Sequence, residues 1–194
     1  MPTRSYDMAA REKARQRTRE AILDAAEELF GERWYDAVTL GDVAREAGVS
    51  QQTVVNHFGT KIGLYVTGIH ERSVPKIAAV RRQATVGDVA SVVAVVVQHY
   101  ELGGDSTARM TALAEREPDL RPVVEDGLRA HREWVEAVLR PQLSRRRGRR
   151  REELATLLTA ALDVATWKHL RRDVGLGDEA TERHLRTLVE ALVA

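Results

Sequence analysis

The sequence predicts an all-α protein of about nine helices, and three observations carry that expectation. Hydrophobic residues make up 43% of the chain but aromatics only 5%, so the core has to be built from Ala, Leu and Val. Such a composition favours packed helices. Apolar residues then recur at one-face helical spacing, as at Ile22, Ala25, Ala26, Leu29 and Phe30. Finally, the apolar runs are punctuated by N-cap residues in front and glycines behind. At 194 residues the chain can form one large domain or two small ones. It contains no cysteine, which excludes disulfide scaffolds, thiolate zinc sites and cysteine nucleophiles. A formal net charge of +1 means that any electrostatic function must arise from local clustering.

Each element follows from local chemistry. The first helix is expected to end near Arg33. Thr39-x-x-Asp42 reads as a capping box, opening a short helix that buries Leu40, Val43 and Ala44 and breaks at Gly48. Ser50 caps the next, which carries Val54, Val55 and Phe58 and stops at Gly59. Thr60 caps a longer one, which Pro75 is expected to kink or end. Thr85-x-x-Asp88 opens a helix with seven valines, apolar on all sides and expected to stop at Gly103-Gly104. A short helix near Thr107–Glu117 follows, then one over Leu120–Arg140. The arginine run 145–147 and 149–151 reads as a solvated loop. A helix from Glu152 to about Asp173 and a last one capped by Asp178 complete the chain. No stretch approaches the roughly 20 apolar residues of a membrane span, and no secretory signal is expected.

Charge is uneven. Residues 1–19 hold six basic side chains against two acidic ones, a net of +4, which leaves −3 for the remainder. A basic arm on a mildly acidic body suits a polyanion, although a solvated terminus would look the same. The two short helices Thr39–Ala47 and Ser50–Phe58 match a helix-turn-helix in spacing. Ala44 is small where the second helix crosses, Gly48 permits a left-handed turn, and Val43, Val49 and Val54 fill the wedge.

With these residues in view, the chain resembles the TetR family of bacterial transcription regulators. The resemblance runs from Arg19 to Leu64, through Ile22-Leu23, Ala25-Ala26, Leu29-Phe30, Tyr35-Asp36, Val38-Thr39-Leu40, Asp42-Val43-Ala44, Ala47-Gly48-Val49-Ser50, Thr53, His57-Phe58, Lys61 and Leu64. It departs from the family pattern at Trp34, where a glycine is usual, at Val55, where a phosphate-touching tyrosine is usual, and at Ile62. The resemblance implies a helix-turn-helix DNA-binding domain over residues 1–66 and a helical effector-binding and dimerisation domain over 67–194. Ser50, Gln51, Gln52, Thr53 and Asn56 would contact bases, since Gln suits adenine and a Thr methyl suits thymine. Arg15, Arg17, Arg19, Thr39, His57 and Lys61 would contact phosphates.

The resemblance further implies a homodimer on a palindromic double-stranded operator, acting as a cytoplasmic repressor and released by a small, mostly apolar effector. Periodicity places Leu158, Leu162, Leu185, Leu188, Val189 and Leu192 in the dimer seam, because one core cannot cover so many apolar faces. His99, Tyr100, Met110, His131, Trp134 and Trp167 are the candidate pocket residues. No HExxH, P-loop, GxGxxG or nucleophile elbow is present, so no enzyme, metal or cofactor is expected. The alternative is a helical architectural DNA-binding or interaction protein without an inducer.

Overall fold

Every regular element follows the helical periodicity of the sequence. The computed structural model describes residues 3–194, with side chains from Met8 onward. The side chain of Arg4, counted in the basic arm, lies outside that description. Among the described residues all regular structure is helical, and no helix is long and apolar enough to cross a membrane. The chain divides into two units that meet between Val74 and Pro75.

In the amino-terminal unit, α1 spans Thr3–Glu32, so the basic arm and the first helix are one element. A 3₁₀ turn at Tyr35–Ala37 leads to α2 (Leu40–Glu46), α3 (Gln51–Phe58) and α4 (Lys61–Gly68). The core is made by Ile22, Leu23, Ala25, Ala26 and Phe30 of α1 against Val38, Val43, Ala44, Val54, Leu64 and Tyr65. The capping box forms: the Asp42 backbone N–H donates to the Thr39 hydroxyl, and the Thr39 N–H donates to the Asp42 carboxylate, both at 3.0 Å. Trp34, where the family has glycine, sits in ordinary extended backbone (φ −62°, ψ 144°), so the turn requires no flexible residue.

The chain stays helical through Pro75. A π turn at Ile69–Ser73 precedes α5 (Val74–Arg81), and the Val74 N–H donates to the Ile69 carbonyl. A widened turn relieves the clash of a proline ring with the preceding turn, so the expected break is absent.

The carboxy-terminal unit is organised on α6 (Val89–Ala114), which Asp88 caps; the expected opening at Thr85 does not form, because the chain turns at Val86-Gly87 with Gly87 at φ 84°. It packs against a 3₁₀ turn at Pro118–Leu120, α7 (Arg121–Val138), α10 (Val164–Lys168) and α11 (Asp178–Val193). The short α8 (Arg140–Leu143) and α9 (Gly148–Ala161) complete the unit. Val92, Val93, Val96, Val97 and Tyr100 of α6 share one core with Leu154, Leu158, Leu162, Trp167, Leu185 and Val189. The first of three corrections is that Gly103-Gly104 does not end α6, which absorbs the separate helix expected near Thr107. The second is that α9 starts at Gly148, inside the arginine run, where Arg149 pairs with Glu153 and Arg151 with Glu136. The third is that the helix expected to reach Asp173 breaks at Leu162-Asp163. The Tyr100 hydroxyl donates to the buried Leu162 carbonyl (3.2 Å), and Asp163 caps α10 through the Ala165 N–H (2.8 Å). Gly177 is the N-cap of α11, with Asp178 its first residue.

Gly104 is needed for packing. A Cβ there would lie 2.5 Å from the Trp167 ring, whereas one on neighbouring Gly103 would meet nothing within 4 Å. Alanine is favoured over glycine in a helix by about 0.5–1 kcal/mol. Gly103→Ala is therefore expected to stabilise by roughly that amount, and Gly104→Ala to destabilise by about 1–3 kcal/mol through overpacking. Chemical denaturation of both variants checks the opposite signs.

Candidate functional site

The turn between α2 and α3 sets the direction of the second helix. Gly48 adopts φ 67°, its N–H donates to the Arg45 carbonyl (3.2 Å), and the Val49 N–H reaches back to Ala44 (2.9 Å). That pair of bonds closes the carboxy-terminal end of α2 as a Schellman motif. Ser50 then begins α3 in extended backbone, and its hydroxyl accepts the Thr53 N–H at 3.1 Å. Val54 is sealed in the core and Val55 half-buried, while Gln51, Gln52 and Asn56 are exposed. The Gln52 side-chain amide donates to the Asn56 Oδ1 at 3.0 Å. Ser50 and Thr53 lie 2.9 Å apart through their hydroxyls, so both spend polar capacity on the cap.

The residues assigned to phosphates divide into two groups. Arg15 and Arg17 are exposed on α1, Arg15 beside Glu12 at 3.3 Å. His57 is half-buried, its ring 6.0 Å from that of Phe58. The Thr39 hydroxyl is engaged in the capping box, donating to Asp42 at 2.7 Å. Hydrogen bonds from the Thr39 hydroxyl and backbone, together with Arg45, hold the Asp42 carboxyl well below its usual range. A depressed folded-state pKa means that the box contributes stability at neutral pH and loses it as pH falls below about 4.

Arg19 and Lys61 have internal partners. Arg19 makes two bonds of 2.6 Å to the Glu71 carboxylate and lies over the Phe58 ring. The Lys61 ammonium donates to the carbonyls of Tyr35 and Val38, each at 2.8 Å, and lies 3.9 Å from the Tyr35 ring. Tyr35 in turn packs with Phe30 and Tyr65. Lys61 thus ties the start of α4 to the 3₁₀ turn over an aromatic cluster. Position and charge alone read both residues as surface cations, because these partners are distant in sequence.

In the carboxy-terminal unit, His99 stacks on Tyr100 (4.6 Å between centroids) and His131 on Trp134 (6.4 Å). Burial first, then the charge of Arg81, lowers the pKa of His99 to about 3 and of His131 to about 4, so both are neutral at pH 7. Trp167 is sealed in the core and donates to Glu101 at 3.0 Å. Met110 lies ten residues beyond Tyr100 on α6, about 15 Å from it along the axis. Arg81 stands between the two stacked pairs, and the sequence run Val80-Arg81-Arg82-Gln83 contains nothing to single it out. Of the six residues assigned to the dimer seam, Leu158, Leu162, Leu185 and Val189 fill their own unit's core. Leu188 is exposed and Leu192 half-buried, while Leu157 of α9, which is not among those six, is exposed. A stripe of one helix cannot face two partners at once, and here most of it faces inward.

The fold and this geometry define a helix-turn-helix domain of the type that presents a capped second helix. Residues 22–67 match the family described as bacterial regulatory proteins, tetR family. The chain is 41% identical over 71 residues to the HTH-type transcriptional regulator AlkX of Mycobacterium tuberculosis, a match covering 35% of this chain and 34% of that protein. It is 36% identical over 70 residues to the HTH-type transcriptional activator FasR of Mycolicibacterium smegmatis, covering 36% and 32%. The matched stretch thus spans about a third of either curated relative. A crystal structure of a transcriptional regulator from Rhodococcus sp. Rha1 superposes with a TM-score of 0.69 at 22% identity, covering 92% of this chain and 95% of that one. At that identity the likeness is one of fold.

Because the Lys61 ammonium joins two carbonyls and a ring, Lys61→Met is expected to cost about 1.5–3 kcal/mol of stability. A lysine acting only on phosphate would cost almost nothing in the absence of DNA. Urea denaturation of the DNA-free protein separates these outcomes.

Proposed function

We propose that the chain is a DNA-binding transcriptional regulator, not an enzyme, that binds a palindromic operator as a homodimer. The observation that carries this reading is the outer face of α3, where Gln51, Gln52 and Asn56 stand exposed on a helix fixed from behind by Val54. Such a helix enters the major groove with its amino-terminal residues against base edges. Gln52 and Asn56 hold each other through one hydrogen bond between their side-chain amides, which either can exchange for a base. Ser50 and Thr53 would contribute the first turn, with Arg15, Arg17, Thr39 and His57 on phosphates. Arg19 and Lys61 would act chiefly by holding the domain in shape.

A twofold dimer places two recognition helices about one turn of DNA apart, roughly 34–36 Å. In this reading α9 and α11, which pack on each other, meet a second copy through the face bearing Leu157 and Leu188. The carboxy-terminal unit would take a small, mostly apolar effector beside His99, Tyr100, His131 and Trp134. The effector would oppose operator binding, making the protein a repressor. Such opposition is reciprocal: operator must weaken effector binding by the same factor.

Gln52→Ala is expected to lose about 1–3 kcal/mol on the operator while sparing random DNA. Replacing Arg15 and Arg17 with Ala should weaken binding to all sequences alike and reduce the log–log salt slope by about one unit per contact. Titrations on both DNAs at several salt concentrations read both effects; equal loss on both DNAs for Gln52→Ala would reject its role in base reading. Leu188→Asp is expected to give a folded monomer with little operator affinity, because the side chain is 42% exposed within its own unit. Leu185→Asp, in the sealed core, should instead unfold the protein. Sedimentation beside circular dichroism distinguishes them, and a Leu188→Asp dimer of normal affinity would move the interface elsewhere.

A further inference from the structure

One cation in the carboxy-terminal unit lacks a counter-charge. Arg81, the last residue of α5, is half-buried, and its Nε is sealed from solvent with no acceptor. One Nη lies 3.1 Å from His131 Nδ1, the guanidinium meets the Tyr100 hydroxyl, and it sits 5.0 Å from the centre of the Trp134 ring. All three neighbours are neutral. Among the described residues no carboxylate lies within ion-pair distance of Arg81.

Several other half-buried arginines have a carboxylate built in. Arg19 holds Glu71, Arg151 holds Glu136, and Arg171 holds Glu101. Arg72 gives the sharpest contrast. Its Nε is also sealed without an acceptor, yet its guanidinium is neutralised by both Glu20 and Asp24. The setting of Arg81 is also fixed in orientation. A histidine nitrogen facing a guanidinium must be the unprotonated one, which puts the His131 proton on Nε2, 3.3 Å from the Thr159 carbonyl. The Tyr100 O–H donates to Leu162, so its oxygen offers Arg81 only a lone pair. Every neighbour is thus oriented to accept from Arg81, and none cancels its charge. Removing a cation from water is costly unless an anion pairs with it.

We infer that Arg81 anchors the carboxylate of an organic acid whose apolar body lies beside Trp134 and the His99–Tyr100 pair. This rests on the reading of the carboxy-terminal unit as a small-molecule site and narrows the ligand to one chemical class. The planar fork of a guanidinium matches the two oxygens of a carboxylate, and the sealed Nε–H supplies one of the two donors such a pair needs. A single negative charge fits better than two. Among the described residues Arg81 is the one permanent cation acting on His99, Tyr100 and His131, and the Asp163 carboxylate already acts on both Tyr100 and His131.

The test is calorimetric titration of the full chain with octanoate and phenylacetate, each beside its neutral counterpart, octanol or phenylacetamide, and with octyl phosphate. The acids are expected to bind about tenfold or more tighter than the neutral partners. Arg81→Met should abolish that preference and leave the neutral probes unchanged, with circular dichroism confirming the fold. Arg81→Gln makes the same comparison if the Met variant does not fold, and Arg81→Lys should keep part of the preference. Acid and neutral probes binding alike to the unaltered chain, or a preference that survives Arg81→Met, would overturn the assignment while leaving a small-molecule site standing. Octyl phosphate binding more tightly than octanoate would overturn the single-charge ligand. Failure of every probe, neutral and acidic together, would remove the small-molecule reading and this inference with it.

Discussion

The carboxy-terminal unit depends on one constraint: α6 is apolar around most of its circumference, so no single neighbour can cover it. Val92, Val93, Val95, Val96 and Val97 are all buried, at positions that span an arc of about 200° around the axis. Helices α7, α10 and α11 therefore enclose it from different sides. The break at Leu162-Asp163 is part of the same solution, because it starts the separate helix α10 whose Trp167 packs against Gly104. The backbone groups at the break are satisfied by side chains, the Leu162 carbonyl by Tyr100 and the Ala165 N–H by Asp163. Valine is a poor helix former by propensity, and burial on all sides outweighs that cost.

The amino-terminal unit is smaller and relies on polar ties as much as on its core. The capping box at Thr39, the Schellman turn at Gly48 and the cap at Ser50 follow one another within twelve residues and together fix where α3 points. Lys61 and Arg19 extend the same logic over longer distances, each joining segments remote in sequence. A recognition helix has to be rigid before base contacts can discriminate, since a loosely held helix would adapt to any sequence.

Local chemistry was legible in the sequence and long-range pairing was not. The caps at Thr39, Ser50 and Thr60 could be read because a cap and the backbone N–H it satisfies lie within three residues, whereas at α6 the cap is Asp88 and not the expected Thr85. The glycine of the helix-turn-helix was legible because its neighbours demand a turn. Gly103-Gly104 misled for the opposite reason: the need for a small residue comes from Trp167, more than sixty residues away. Pro75 misled because a π turn is an equally good answer to a missing donor. The stripe Leu185, Leu188, Val189 and Leu192 was correctly seen as amphipathic, but periodicity does not say which partner covers an apolar face. Arg81 was invisible, since an arginine among arginines acquires its meaning only from what packs around it.

The placement of arginine links the fold to the proposed function. A guanidinium is the side chain most readily stabilised by a planar anion, and this chain supplies carboxylates for those at Arg19, Arg72, Arg132, Arg151, Arg171 and Arg172. Those pairs hold elements together and leave little affinity for outside anions. Two kinds of basic residue remain available. Arg17 stands exposed on α1, where solvent and salt can compete, as suits a phosphate contact that must form and release. Arg81 is withdrawn from solvent among neutral groups, where an anion would bind with less competition from water. The same residue type thus serves three purposes, and its surroundings decide which: a brace where a carboxylate is built in, a weak and reversible contact where water is the neighbour, and a selective anchor where neither is supplied.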